Sequence, residues 1–298
     1  MIEPSETRSG LTAAPQESAS MRAARKPSDR TNKARKPTLS PTRITTYLEC
    51  AVKYKYIYQD KIGRFYLRAR PYYSFGSTLH HVLQEFHAQG ATHTAEEMVS
   101  EMEQTWIRAG YETEAQEQAH REAGQEIVQA YHAAQQERQA AAVETIAIEK
   151  TIIYDLGPFK LQGRVDRIDR HPDDSLEIID YKSGRWETTS EEVSADLAMN
   201  CYQLILKHLY PTNRVFATIY CLRSGVHASA ELAGEELAQF ERDIRQLGAE
   251  ILERDYTEIE PVHMQICGDC DFLSVCERFW RDKARRERLD DPHSEDDI

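Results

Sequence analysis

LQGRVDRIDR (161–170), then the polar break His171-Pro172-Asp173-Asp174, then LEIIDYKSG (176–184) is the stretch on which the fold turns. Both runs are rich in β-branched and apolar residues, and the break between them has turn chemistry. Just upstream, VETIAIEKTIIYDL (143–156) has the same character and ends at Gly157-Pro158. Three strands joined by two short turns predict an antiparallel three-strand meander. Side chains alternate along a strand, so Asp180 and Lys182 project from one face while Tyr181 points away. If the two later strands pair, Asp166 converges on Asp180.

Outward from the meander the period lengthens. Ser40-Pro41 supplies an N-cap followed by proline at the first helical position, and a helix through Ile44, Tyr47 and Leu48 toward Tyr58 is expected. In FGSTLHHVLQEFH, Leu79, Val82, Leu83 and Phe86 recur at the spacing of one buried helical face. Residues 94–140 predict two polar helices separated near Gly110. After the meander, a helix over 191–209, strands near 214–222 and 226–232, and a helix over 235–253 complete the order. Helix, three-strand meander, helix and strand make an α/β arrangement around a mixed central sheet.

Two carboxylates at Asp166 and Asp180 could hold Mg²⁺ or Mn²⁺ through oxygen ligands. Such an ion polarises a phosphodiester, and Lys182 beside it could orient water or stabilise developing charge. Taken alone, an Asp-x-Lys reads first as a surface ion pair worth about 0–1 kcal/mol.

LQGRVDRIDR followed by LEIIDYKSG resembles the paired motifs of PD-(D/E)xK nucleases, specifically the RecB-like branch that includes the AddB nuclease domain and CRISPR-associated exonucleases. The resemblance covers residues 39–280 and implies a restriction-endonuclease-like core carrying a helical insertion at about 94–140. It implies a further metal ligand at His80, within Gly76-Ser77-Thr78-Leu79-His80. It implies the backbone carbonyl of Tyr181 as another metal ligand, and Gln203 in CYQLILKHLY as a group positioning substrate or Lys182. The tyrosine the family places four residues after that glutamine is absent, because residue 207 is lysine. The activity implied is metal-dependent cleavage of DNA, at ends or in single strands, in repair, recombination or CRISPR adaptation. A non-catalytic binding or assembly subunit that keeps the nuclease fold is the rival from another class. No Gly-x-x-x-x-Gly-Lys-Ser/Thr loop is present to power unwinding, so a helicase or an adaptation complex is the expected partner.

Of six cysteines, three fall within CGDCDFLSVC, at Cys267, Cys270 and Cys276. Clustered thiols point to metal, and three local ligands need a distant fourth. The resemblance supplies Cys50, in SPTRITTYLECAVKYKYIY, and implies a 4Fe-4S cluster closing an iron-sulfur clasp. The proline the family commonly places after that cysteine is replaced by Ala51. Zinc is the alternative occupant. Cys201 and Cys221 match nothing and are expected to be buried small hydrophobes.

Lysine and arginine total 37 against 50 aspartate and glutamate, a formal net charge of −13, which excludes a polycationic nucleic-acid binder. Within 53–73, however, Lys53, Lys55, Arg64, Arg68 and Arg70 interleave with aromatic residues including Tyr66. Cations that track phosphates between rings that stack on bases suit a single strand, so this segment is the candidate DNA-binding surface. Residues 1–38 are polar, basic and poor in large apolar groups, predicting a disordered tail, and 281–298 predict a charged C-terminal tail. No apolar run reaches the roughly 18–20 residues of a membrane helix and no signal-peptide pattern opens the chain, so a cytoplasmic protein with no membrane partner is expected.

Overall fold

The computed structural model describes residues 36–140 and 142–290. The expected disordered tail, up to residue 35, and the last eight residues lie outside them. Order begins earlier than expected: Thr38–Leu39 form a short strand, β1. Helix α1 (Pro41–Glu49) follows, capped by the Ser40 side chain with Pro41 at its start.

The single helix expected to run on toward Tyr58 is broken. Cys50 is extended (φ −164°, ψ 111°), and its sulfur accepts from the Lys53 N–H to cap α2 (Ala51–Tyr54), which passes into a π-helical turn over Lys55–Gln59. The short α3 (Gly63–Tyr66) leads to α4 (Pro71–Ala88), whose buried side chains include Phe75, Leu79, Val82, Leu83 and Phe86 at helical spacing. The polar stretch forms α5 (Ala95–Gln104), closed by a Thr94–Glu97 capping box, and the long α6 (Glu114–Ala140). Between them Gly110 has φ +91°, and a Cβ there would lie 2.7 Å from the Arg70 backbone, so glycine is required where the insertion docks on the start of α4.

The meander is present as β2 (Glu144–Asp155), β3 (Lys160–Arg170) and β4 (Leu176–Lys182). β2 and β3 pair antiparallel along nearly their whole length, with one register shift between Thr145 and Ala147. β3 and β4 pair only from Arg167 opposite Ile179 to Arg170 opposite Leu176. β1 lies parallel to the start of β3 at Lys160 and Leu161. The expected helix over 191–209 is two, α7 (Ser190–Ala195) and α8 (Leu197–Leu209), because Asp196 leaves helical geometry to cap the second with its side chain. β5 (Val215–Cys221) joins β4 in parallel, and β6 (His227–Ala230) closes the edge antiparallel. α9 (Gly234–Glu253), a 3₁₀ turn at Gln265–Asp269 and α10 (Leu273–Asp290) end the described chain. Residues 281–290, expected as tail, therefore belong to a helix.

The result is a mixed central sheet, as expected, between two helical layers. α1, α8 and α9 cover one face over a core that includes Leu161, Val165, Ile178, Leu204 and Ile244. α4, α5 and α6 cover the other over Phe75, Leu79, Val128, Tyr131, Ile179 and Tyr181. Among the described residues no helix is long and apolar enough to cross a membrane.

Candidate active site

β3 and β4 part company immediately beyond the Arg167–Ile179 pair, and the two acidic motifs meet in the fork. The Tyr181 N–H, left without a strand partner on that side, donates to Asp166 Oδ2 at 2.8 Å. His80, on the open face of α4, bridges the same two residues: its Nδ1 lies 3.3 Å from Asp166 Oδ1 and its Nε2 lies 3.0 Å from the Tyr181 carbonyl oxygen. On the face of β4 opposite the Tyr181 ring, Lys182 Nζ and Asp180 Oδ2 pair at 2.7 Å.

Local electrostatics follow from crowding three acids in a partly dry fork. Burial pushes the Asp180 carboxyl up to about 6; Lys182 opposes the rise and Asp166 adds to it. Burial would lower the His80 imidazole, but the hydrogen bond and charge of Asp166, then the charge of Asp180, raise it above its usual value. Lys182 behaves alike: burial disfavours its charge and Asp180 more than restores it, so the amine stays an ammonium.

The third acid is Glu149, which the sequence reading did not single out. One ligand atom each from His80, Glu149 and Asp166 lies within 4.8 Å of the others. Glu149 sits on β2 in the left-handed region (φ 48°), a conformation that costs roughly 1–3 kcal/mol for a residue with a Cβ. Burial, then Asp166, raise its carboxyl, while Arg164 counteracts at 2.6 Å. One imidazole and several carboxylates are the donor set of a Mg²⁺ or Mn²⁺ site, so the residues fit such a cation. Asp180 stands beside this trio, not within it.

Two further placements differ from expectation. Gln203 is buried, but its Oε1 accepts from the Leu232 N–H at 2.8 Å, and no hydrogen bond joins it to Lys182 among the described residues. Tyr202, its neighbour, is the tyrosine at the site: burial, then Asp180 and Asp166, push its hydroxyl well up. The insertion reaches the fork from behind, where Tyr131 of α6 meets the Tyr181 hydroxyl at 2.7 Å. Arg167 donates to Tyr131 and to Asp169 in the same buried network.

A profile of the PD-(D/E)XK nuclease superfamily matches residues 38–277. The chain belongs to the PD-(D/E)XK nuclease superfamily. Members of that superfamily are metal-dependent nucleases, and the fork of this PD-(D/E)XK chain holds a carboxylate and histidine set suited to a divalent cation. Among solved structures, the chain is similar to SSO0001, at 13% identity, over 81% of this chain and 86% of that one, with a TM-score of 0.37. No curated protein matches it.

The segment expected to face DNA is not a free cationic strip. Lys53 pairs with Glu49, Lys55 with Asp60, and Arg70 with Asp271 at 2.9 Å, with Arg68 4.0 Å from the same acid. Arg64 lies over the Phe65 ring, and Tyr66 packs near Phe272. At the end of the same segment, Tyr72 and Tyr73, 56% and 62% exposed, line a cleft of about 500 Å³ that runs to His80, Glu149 and Asp166.

Of the cysteines, Cys201 and Cys221 are buried in the main core, and Cys50, Cys267, Cys270 and Cys276 are free, half-buried thiols. Cys50, Cys270 and Cys276 pack around Val52, Tyr56 and Phe272. Burial pushes the Cys276 thiol up to about 11, and the charges of Cys270, Cys50 and Cys267 add to the rise, while a hydrogen bond to Tyr56 opposes it.

Proposed function

We propose that this chain is a metal-dependent deoxyribonuclease of the RecB-like branch, hydrolysing phosphodiester bonds at DNA ends or in single strands. The observation that carries the reading is the fork itself, where Asp166 faces both His80 and the backbone of the Asp180-Tyr181-Lys182 motif. His80, Glu149, Asp166 and Asp180 would hold Mg²⁺ or Mn²⁺, with the Tyr181 backbone carbonyl as a further ligand. A bound divalent cation supplies Lewis-acid polarisation of the scissile phosphodiester. Lys182, kept protonated by Asp180, donates hydrogen bonds to the attacking water or to the phosphate oxygens as charge builds on them. Asp166 and the Tyr181 N–H keep the two motifs in register, and Gln203 holds the start of the β6–α9 connection behind α8. Opened DNA would come from a helicase or an adaptation complex acting in repair, recombination or CRISPR adaptation.

The four half-buried thiols would hold a 4Fe-4S cluster that clasps Cys50 to the C-terminal segment. The soft donors of all four, and the apolar surroundings of Cys50, Cys270 and Cys276, support this reading. Arg70 and Asp271 brace the same junction. Anaerobic preparation should give a coloured protein with iron and sulfide that Cys276→Ser loses; a colourless protein with stoichiometric zinc would assign the thiols to zinc.

The central test is cleavage of labelled single- and double-stranded DNA with Mg²⁺ or Mn²⁺ by the parent, Asp180→Ala and Lys182→Ala. Both variants should lose activity. Cleavage undiminished in both would sink the assigned site.

A further inference from the structure

Arg164 and Glu149 form an ion pair that links the proposed cation site to the mouth of the cleft. The Glu149 carboxylate is 11% exposed and belongs to the trio with His80 and Asp166. The Arg164 side chain is 66% exposed and reaches that carboxylate from the cleft rim. Among the described residues lining the cleft, Arg164 is the one lysine or arginine; the others that carry charge are acids and histidines. Behind the exposed Arg164, a phosphate in the cleft faces Glu149 and Asp166, so without a cation the inner wall repels it. A guanidinium is built to take phosphate in bidentate fashion and does not lose its charge.

One carboxylate serves poorly as partner to both a guanidinium and a divalent cation, because the two positive charges would then crowd each other. Cation binding at His80, Glu149 and Asp166 therefore weakens the hold of Glu149 on Arg164. We propose that Arg164 is a phosphate-binding residue held in reserve: Glu149 retains its guanidinium in the absence of the cation, and cation binding releases it to the substrate backbone. The inference rests on the nuclease reading above and deepens it, because it couples cation binding to DNA binding. By linkage the coupling is reciprocal, so DNA tightens the cation as the cation tightens DNA.

Salt dependence of DNA binding tests this without reference to turnover. Anisotropy of a short labelled single-stranded oligonucleotide is measured against KCl concentration in EDTA and in Mn²⁺, with Lys182→Ala as the common background so that the strand is not consumed. Each phosphate contact on a single strand contributes about 0.7 to the slope of log K against log salt. In EDTA the background protein and its Arg164→Gln derivative should share one slope. In Mn²⁺ the Arg164→Gln derivative should be shallower by about 0.7. Glu149→Gln frees Arg164 without a cation and should steepen the EDTA slope by about the same 0.7. A difference between background and Arg164→Gln that is equal in EDTA and Mn²⁺ would show a permanent contact and overturn the release. A difference absent in both, or an EDTA slope unmoved by Glu149→Gln, would overturn it as well. Absence of cleavage by the protein with Lys182 intact would instead remove the nuclease reading, whatever the slopes.

Discussion

The Tyr181 N–H donates to Asp166 Oδ2 at 2.8 Å, across the point where β3 and β4 cease to pair. A side chain thus replaces a backbone acceptor where the ladder ends, and the same carboxylate turns its other oxygen to His80. Asp166 therefore closes the fork structurally and supplies charge to it. The two roles separate chemically, since an amide keeps the acceptor and loses the charge.

Asp166→Asn should accordingly unfold in urea within about 1 kcal/mol of the parent while losing cation binding and cleavage. Asp166→Ala leaves the Tyr181 N–H without an acceptor in a partly buried site, which costs about 1–3 kcal/mol. Equal destabilisation of the two variants would remove the structural role from this hydrogen bond.

Acid sensitivity should come from behind the site. Burial, reinforced by Arg167 and Arg138, pushes the His87 imidazole down to about 2 from an ordinary 6.5. Its folded form is neutral while the unfolded chain takes up a proton below 6.5, so its contribution is complete above 6.5 and is lost as pH falls toward 2. Between pH 6.5 and 4.5 the loss is about 2–3 kcal/mol, one proton's worth over two pH units. Asp180, Glu149 and His80, all raised, gain stability over the same window, so the check is a comparison. In urea unfolding at those two values the parent should lose about 2–3 kcal/mol more than His87→Gln, even if the variant is less stable throughout. Burial would raise the Glu177 carboxyl, but Arg138, with hydrogen bonds from Thr218 and His171, lowers it below its usual value, so Glu177 adds its own loss only below the ordinary glutamate range.

The metal-ready motifs were legible in sequence because each is local. Asp180 and Lys182 need only strand alternation, and His80 sits on a helix whose buried face is explicit in Leu79, Val82, Leu83 and Phe86. Glu149 was not legible. It is one acid among charged residues of β2, and its place opposite Asp166 depends on pairing register and on a left-handed backbone that no local pattern encodes. The break at Cys50 was hidden for a related reason: Ala51 through Gln59 have helical character on either reading, and only the extended Cys50 distinguishes two helices from one. Arg167, Asp169 and Glu177 resemble surface charges in sequence, and their burial beneath the half-buried Arg138 follows from α6 lying over the sheet, a tertiary fact.

Substrate strands should stack on the exposed tyrosines of the cleft. The Tyr72 and Tyr73 rings are 4.3 Å apart, inclined at 48° and more than half exposed. Base stacking on an aromatic is worth about 1–3 kcal/mol per base. Tyr73→Ala should thus weaken single-strand binding by about 5- to 150-fold, with Tyr73→Phe close to the parent and duplex binding less affected. Anisotropy with the two substrates decides it, and unchanged single-strand affinity in a Tyr72→Ala/Tyr73→Ala double variant would exclude the platform.

Gly163, three residues before Asp166, tests how tightly α8 is pressed onto the fork. A Cβ at this position would lie 2.4 and 2.5 Å from Cε1 and Cδ1 of Tyr202, closer than any real contact. Gly163→Ala must therefore displace the Tyr202 ring or bend β3, and overpacking of this kind costs about 1–3 kcal/mol. Because Tyr202 lies near both Asp166 and Asp180, the same displacement should lower cleavage. Truncating the ring removes the clash, so Gly163→Ala should cost little when Tyr202→Ala is already present. A double-mutant cycle in urea would then show a coupling of about 1 kcal/mol or more between the two positions, whereas additive costs would mean that β3 yields instead of the ring and that the glycine serves the strand itself.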